Sequence, residues 1–312
     1  MDEVPSTLSR RSLLAGVAGG CGALAGCAGT GGGDCSFGFE LTMAPATEAD
    51  FLEVTLRAPS RDRPDDWRAI VSGTVERGEA RYTTVHAAPI RDGDRIEHEG
   101  GYYRFVREEV ATQDAEAHLF RAEYEAGRDP PQGASVVRFE DLPEADRAAL
   151  REVLPDLDER LAESQGFTVG GYPVVYPDEA GPDSVLLGEG STWVRYDGEV
   201  IEITVEGTER VERVTYRYTA EELAADREAY LEYVRETFVV ELGDLPEEER
   251  PVLARAVEAE EDGIQLCEPE GAERAVVDRL DGIAASKTPR DRTWFVEYEG
   301  EVYLTSLLEF QV

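Results

Sequence analysis

The sequence has almost no lysine: Lys287 stands alone among 31 basic residues, and the rest are arginine. Histidine is nearly as scarce, with only His86, His98 and His118, widely spaced and outside any HExxH or Cys/His pairing. A zinc site draws on closer ligands than these, so no metal is expected. A G-x-S-x-G elbow, a P-loop and a G-x-G-x-x-G fingerprint are all missing, which leaves esterase chemistry and nucleotide binding without their motifs. Gly188-Glu189-Gly190-Ser191 has neither the order nor the flanks of a nucleophile turn. The acidic run Glu258 to Asp262 lacks the ligand spacing of an EF-hand. Beyond the N-terminal segment no apolar run reaches the roughly 20 residues that a membrane span takes.

What is abundant is acid. Asp and Glu number 67, giving a net charge of -36. At ordinary ionic strength such a chain repels itself. In molar salt the Debye length shrinks to about 3 Å and the repulsion is screened, so the composition suits brine. Disorder fits poorly, because 41% of residues are hydrophobic and they recur with clear periodicity. Nucleic acid and anionic headgroups are not expected as direct partners, since this surface repels phosphate.

The N-terminus reads as a targeting device. Arg10 and Arg11 immediately precede a weakly apolar stretch from Leu13 to Gly26, the pattern of twin-arginine export. The stretch ends Leu24-Ala25-Gly26-Cys27, which resembles a lipobox, so Cys27 is expected to carry lipid. Cys21 competes less well, with Ala18 rather than a large aliphatic three residues upstream. Residues 1–26 are therefore expected to leave as signal peptide, and 27–36 to form a Gly-rich tether. Cys35 and Cys267 then remain, either as a disulfide or as two separate thiols, since one pair cannot be placed from sequence.

The body reads as a repeated module. Three helix starts share proline, an acid, two variable positions and arginine: Pro64 to Arg68, Pro143 to Arg147, and Pro246 to Arg250. Proline and acids suit a first turn, where the missing N–H costs little and carboxylates meet the positive dipole end. Apolar residues follow at helical spacing: Trp67, Ile70, Val71 and Val75; Leu150, Val153, Leu154, Leu157 and Leu161; Leu253, Ala256 and Val257. Pro251 is expected to shift the third start by a turn. Short β-like runs precede the second and third helices, at Val136 to Phe139 and Phe238 to Leu242. Hairpin signals with an acid-Gly turn follow each helix, around Gly100, Gly198 and Gly300. A fourth helix is expected from the capping box Thr219-Ala220-Glu221-Glu222, with Leu223, Tyr230, Leu231 and Val234 on its apolar face. The expected fold is α+β, built of strand-helix-hairpin modules with antiparallel sheets: a diverged module 1 over 37–110, module 2 over 111–218 and module 3 over 219–312.

Arg68, Arg147 and Arg250 each oppose the helix dipole, so each is expected to have a partner, and a nearby carboxylate is favoured over a shared anion site. Tyr102, Tyr103, Trp193, Tyr196, Trp294 and Tyr303 either line a groove or pack across hairpin strands, the second being the simpler account. Residues from about Tyr216 to Leu307 resemble an uncharacterised domain repeated in haloarchaeal secreted and lipid-anchored proteins. The resemblance rests on Tyr216-Arg217-Tyr218, Tyr230 to Val234, Asp244-Leu245-Pro246 with Arg250, and Phe295 to Tyr303. It implies architecture and habitat, and brings no activity or catalytic residue. The expectation is a lipid-anchored envelope protein on the outer face of a haloarchaeal membrane. It has no identifiable catalytic site or cofactor, and serves as a binding or structural module for a surface protein or glycan. An extracellular hydrolase and the solute-binding lipoprotein of an importer are the alternatives.

Overall fold

The computed structural model describes residues 35–60, 64–177 and 183–311. Its elements run β1 (Phe37–Pro45), α1 (Glu48–Thr55), α2 (Pro64–Arg77), β2 (Ala80–Thr84), β3 (Arg95–His98) and β4 (Gly101–Glu125). Next come β5 (Val136–Arg138), α3 (Glu144–Val153), α4 (Leu157–Glu163), β6 (Gly166–Val174), β7 (Ser191–Tyr196) and β8 (Glu199–Ala224). The chain ends with α5 (Arg227–Phe238), β9 (Val239–Glu241), α6 (Arg250–Ala259), β10 (Ile264–Cys267), α7 (Gly271–Asp281), β11 (Thr293–Tyr298) and β12 (Glu301–Gln311). The class is α+β, with every strand pair antiparallel except β5 with β7 and β9 with β11.

Two sheets make three lobes. β4 and β8 are long enough to pair across two of them, joined by a ribbon whose β4 residues 108–114 are exposed. Lobe A has the order β3, first half of β4, second half of β8, β2. Lobe B has the order β6, second half of β4, first half of β8, β7, β5. Lobe C has the order β10, β1, β12, β11, β9. Lobes B and C match strand for strand in order and direction, with α3 and α6 in equivalent places. Lobe A matches four of the five positions, and the Arg57 N–H bonding the Arg95 carbonyl at 2.7 Å marks the place of the fifth.

Each lobe has its own apolar core. Trp67, Ile70, Val71, Ile96, Phe105 and Tyr218 fill lobe A; Phe120, Leu150, Val153, Val194 and Ile201 are central in lobe B; Leu41, Leu253, Val277, Trp294 and Val296 are central in lobe C. Full burial of a side chain of this size contributes about 1.5–3 kcal/mol. The three tryptophans of the sequence fall one to a lobe, at 67, 193 and 294.

The lobes do not follow the expected boundaries at 110/111 and 218/219. Both cuts fall inside β4 and β8, which continue unbroken because each residue there has a ladder partner or sits in a bulge. β1 was expected in module 1, but it lies in lobe C between β10 and β12. The second half of β8 straddles the expected boundary between modules 2 and 3, yet it lies in lobe A between β4 and β2. The first and third modules have thus exchanged their leading strands. The connectors that follow these strands, α1 and α5, cross between the lobes and pack on each other through Phe51, Val54, Tyr230, Leu231 and Val234. The Tyr230 hydroxyl donates to Thr55 Oγ1 at 3.0 Å, and burial pushes its pKa up to about 12.

The three hairpin turns are alike. Glu99-Gly100, Asp197-Gly198 and Glu299-Gly300 all have positive φ, at 52° and 85°, 44° and 87°, and 54° and 83°. That is the type I′ geometry in which glycine is needed at the second position. Other helix starts differ from expectation. Thr219 to Glu222 belong to β8, because their backbone pairs with Val106 to Tyr103. The helix begins instead after Asp226, whose carboxylate accepts from the Ala229 N–H at 3.0 Å. Leu157 and Leu161 lie on a separate helix from Leu150, since Pro155 cannot continue α3 and Asp156 turns at φ 55°. The third helix starts at Arg250 with Pro251 in its first turn.

Candidate functional site

The three motif arginines head three different helices. Arg68 is 67% exposed in its side chain and pairs with Asp65 at 2.9 Å. Arg147 donates to the Glu140 backbone carbonyl at 3.0 Å, and Arg250 is exposed at the start of α6. The residue before each arginine is the buried one: Trp67, Asp146 and Glu249. Asp146 is fully buried and accepts four hydrogen bonds. They come from the Tyr176 hydroxyl at 3.0 Å, Ser184 Oγ at 2.5 Å, and the N–H groups of Val185 and Leu186 at 2.8 and 3.3 Å. It therefore ties α3 to the chain at 176 and 184–186. Burial, and then the Asp146 charge, push the Tyr176 phenol well above its ordinary range. In lobe C the equivalent Glu249 receives both Arg279 Nε, at 2.7 Å, and Nη2, at 3.0 Å, joining α6 to α7. These are charge-assisted clamps that hold helices, and both are structural.

The histidines are dispersed. His86 stacks on Tyr172 with centroids 4.4 Å apart, and its Nε2 lies 3.1 Å from Glu152 on α3. His118 meets the edge of Tyr176, and His98 sits beside the lobe A hairpin turn. Among the described residues no group of three His, Cys, Asp or Glu side chains is placed to hold a metal ion. Cys35 and Cys267 are joined by a disulfide with Cα atoms 5.5 Å apart, tying the residues before β1 to the end of β10. Arg10, Arg11, Cys21 and Cys27 lie outside the described residues.

Of the six aromatic residues singled out above, most pack within the lobes. Tyr102 stacks on Tyr230 at 4.3 Å, Trp193 lies under the Arg128 guanidinium, and Trp294 donates to Thr288 at 3.1 Å. Tyr196 alone of the six lines a groove of about 650 Å³ between lobes A and B. The lobe A wall is the start of α2 and strand β2, with Asp65, Asp66 and Tyr82; the lobe B wall includes Phe139, Arg151, Glu152, Asp156, Asp158 and Tyr196. Tyr82 donates its hydroxyl to Asp66 at 2.7 Å. The neighbouring Asp158 carboxylate first, and then burial, raise the pKa of Tyr196. Arg151 stacks over Phe139 at 5.4 Å.

Tyr82 and Phe139 carry no sequence signal of their own, and only the docking of the two lobes brings them to one groove. The groove pairs rings with carboxylates, one of which, Asp66, is fixed by a phenol, an arrangement suited to holding a ligand. No family model matches the chain, and no curated protein or solved structure is significantly similar to it.

Proposed function

We propose that the chain is a lipid-anchored protein of the cell envelope of a halophilic archaeon, held on the outer face of the membrane by Cys27 and acting by binding. In this reading it carries copies of the haloarchaeal repeat domain that residues 216–307 resemble. The observation that carries the proposal is the Cys35–Cys267 disulfide. Stable disulfides belong to oxidising compartments, and this one sits eight positions beyond the lipobox cysteine. The twin arginines and the tether agree with it. No helix among the described residues is long and apolar enough to cross a membrane, so attachment in this reading falls to the lipid. The inter-lobe groove is the feature that favours binding.

Replacing Cys27 with alanine is expected to abolish acylation and release the protein from the membrane fraction, read by mass spectrometry and fractionation. Unchanged membrane attachment would overturn the anchor. The salt adaptation has its own test. The ion pairs are mostly between exposed groups, such as Arg104–Glu221 and Arg274–Asp278, and contribute little each. They leave the net charge of -36 to be screened by solvent ions. The melting temperature is therefore expected to fall steadily as KCl is lowered from molar concentration, and a salt-independent value would remove the halophilic reading.

A further inference from the structure

Two Tyr–Asp pairs, one from each lobe, line the groove between lobes A and B. Tyr82 donates to Asp66 from lobe A, and Tyr196 shares the lobe B wall with Asp158. Both tyrosines and Phe139 are half-buried, and Tyr196 meets Phe139 edge to face with centroids 5.1 Å apart. Acid alone would not distinguish this place, because the whole surface is acidic; the rings do. We propose that the groove binds an organic cation of the ammonium or guanidinium class, seated between the rings with its charge on the Asp66 and Asp158 carboxylates. The inference rests on the binding reading above and names its ligand.

First, the groove lining has five carboxylates, of which Asp65 is paired with Arg68, against the single lining guanidinium of Arg151, so the excess charge is negative and an anion is repelled. Second, the ring faces attract a cation, and Arg151 over Phe139 is a cation of this class already in such a place. Third, brine selects among cations. With a Debye length near 3 Å in molar salt, only groups in contact contribute. An inorganic ion competes for a carboxylate but gains little from a ring while it keeps its water. An organic cation buries its apolar flank against Tyr82, Tyr196 or Phe139 and its charge against the acids. A neutral sugar would use the rings, but carboxylates offer it acceptors and no donors. The Tyr82 phenol already holds Asp66 in place, so less ordering of that carboxylate is left to binding.

The test uses the whole chain, solubilised from membranes in molar KCl. Choline, agmatine and a neutral disaccharide are titrated calorimetrically into wild type, an Asp66→Asn/Asp158→Asn variant and Arg151→Gln. The expected result is saturable binding of at least one cation, weakened about tenfold or more by the double substitution and tightened by Arg151→Gln. The exposed Arg151 serves as the second variant because its loss adds net negative charge without touching a core. No saturable binding of either cation overturns the proposal, as does cation binding indifferent to all these substitutions. Disaccharide binding alone, sensitive to the Asp66/Asp158 change, also overturns it while leaving the binding reading standing. The anchor is judged separately by Cys27→Ala.

Discussion

Removing the disulfide, with Cys35→Ser and Cys267→Ser together, is expected to lower the unfolding free energy by about 3–5 kcal/mol. The magnitude follows from the topology. β1 is the first described element of the chain, yet it pairs with β12 and β10 in lobe C. The bond closes a separation of 232 residues. In the chain-entropy account a loop that long removes about 5 kcal/mol of freedom from the unfolded state, with residual denatured structure and native strain reducing the yield. Because β1 supplies Phe39, Leu41 and Met43 to the lobe C core, its loosening should be felt there first. Trp294 lies in that core, so a variant retaining only this tryptophan reports the lobe directly. Its fluorescence transition in denaturant should move to lower concentration, while a Trp193 reporter in lobe B moves less. An unchanged Trp294 midpoint would mean that the ladders to β10 and β12 hold β1 unaided.

The same exchange explains which parts of the fold were legible in the sequence. Local signals were read correctly: the acid-Gly turns gave all three hairpins, and the Pro-acid starts gave α2 and α3 to within a residue. The short runs before the second and third helices became β5 and β9, each parallel to the first strand of the following hairpin. Partner choice for a leading strand is not local. An apolar strand such as β1 suits lobe A or lobe C equally by its alternation, and the crossing of α1 and α5 decides between them. For the same reason the capping-box pattern at Thr219 misled: the residues can start a helix, but the ladder with β4 satisfies their backbone first. Asp146 was invisible as one acid among 67. Aligning the three copies by their proline would have exposed it, because the position before the arginine holds Trp67, Asp146 and Glu249, all buried. No such alignment yields the groove, whose walls come from different modules.

Replacing Asp146 with alanine is the substitution expected to damage lobe B most, by about 3–5 kcal/mol. The loss is not of one contact. The Tyr176 hydroxyl, Ser184 Oγ and the N–H groups of Val185 and Leu186 all lose their common acceptor. Tyr176 and Leu186 are themselves buried, so water reaches these donors only if this part of the chain lifts from α3. Leu186 would then leave a core it shares with Leu150, Val153 and Leu154, adding apolar exposure to the unpaired groups. Asp146→Asn should fall between wild type and alanine, because one amide oxygen still accepts while the amide nitrogen faces donors. A Trp193 reporter, read in denaturant at fixed molar KCl, should show the shift, and Trp294 should show little, since Glu249 and Arg279 clamp lobe C independently. A loss shared equally by both reporters would instead show that the exchanged strands couple the lobes into one cooperative unit. An alanine variant as stable as wild type would mean that solvent satisfies the freed donors, and that Asp146 does not hold this part of the chain.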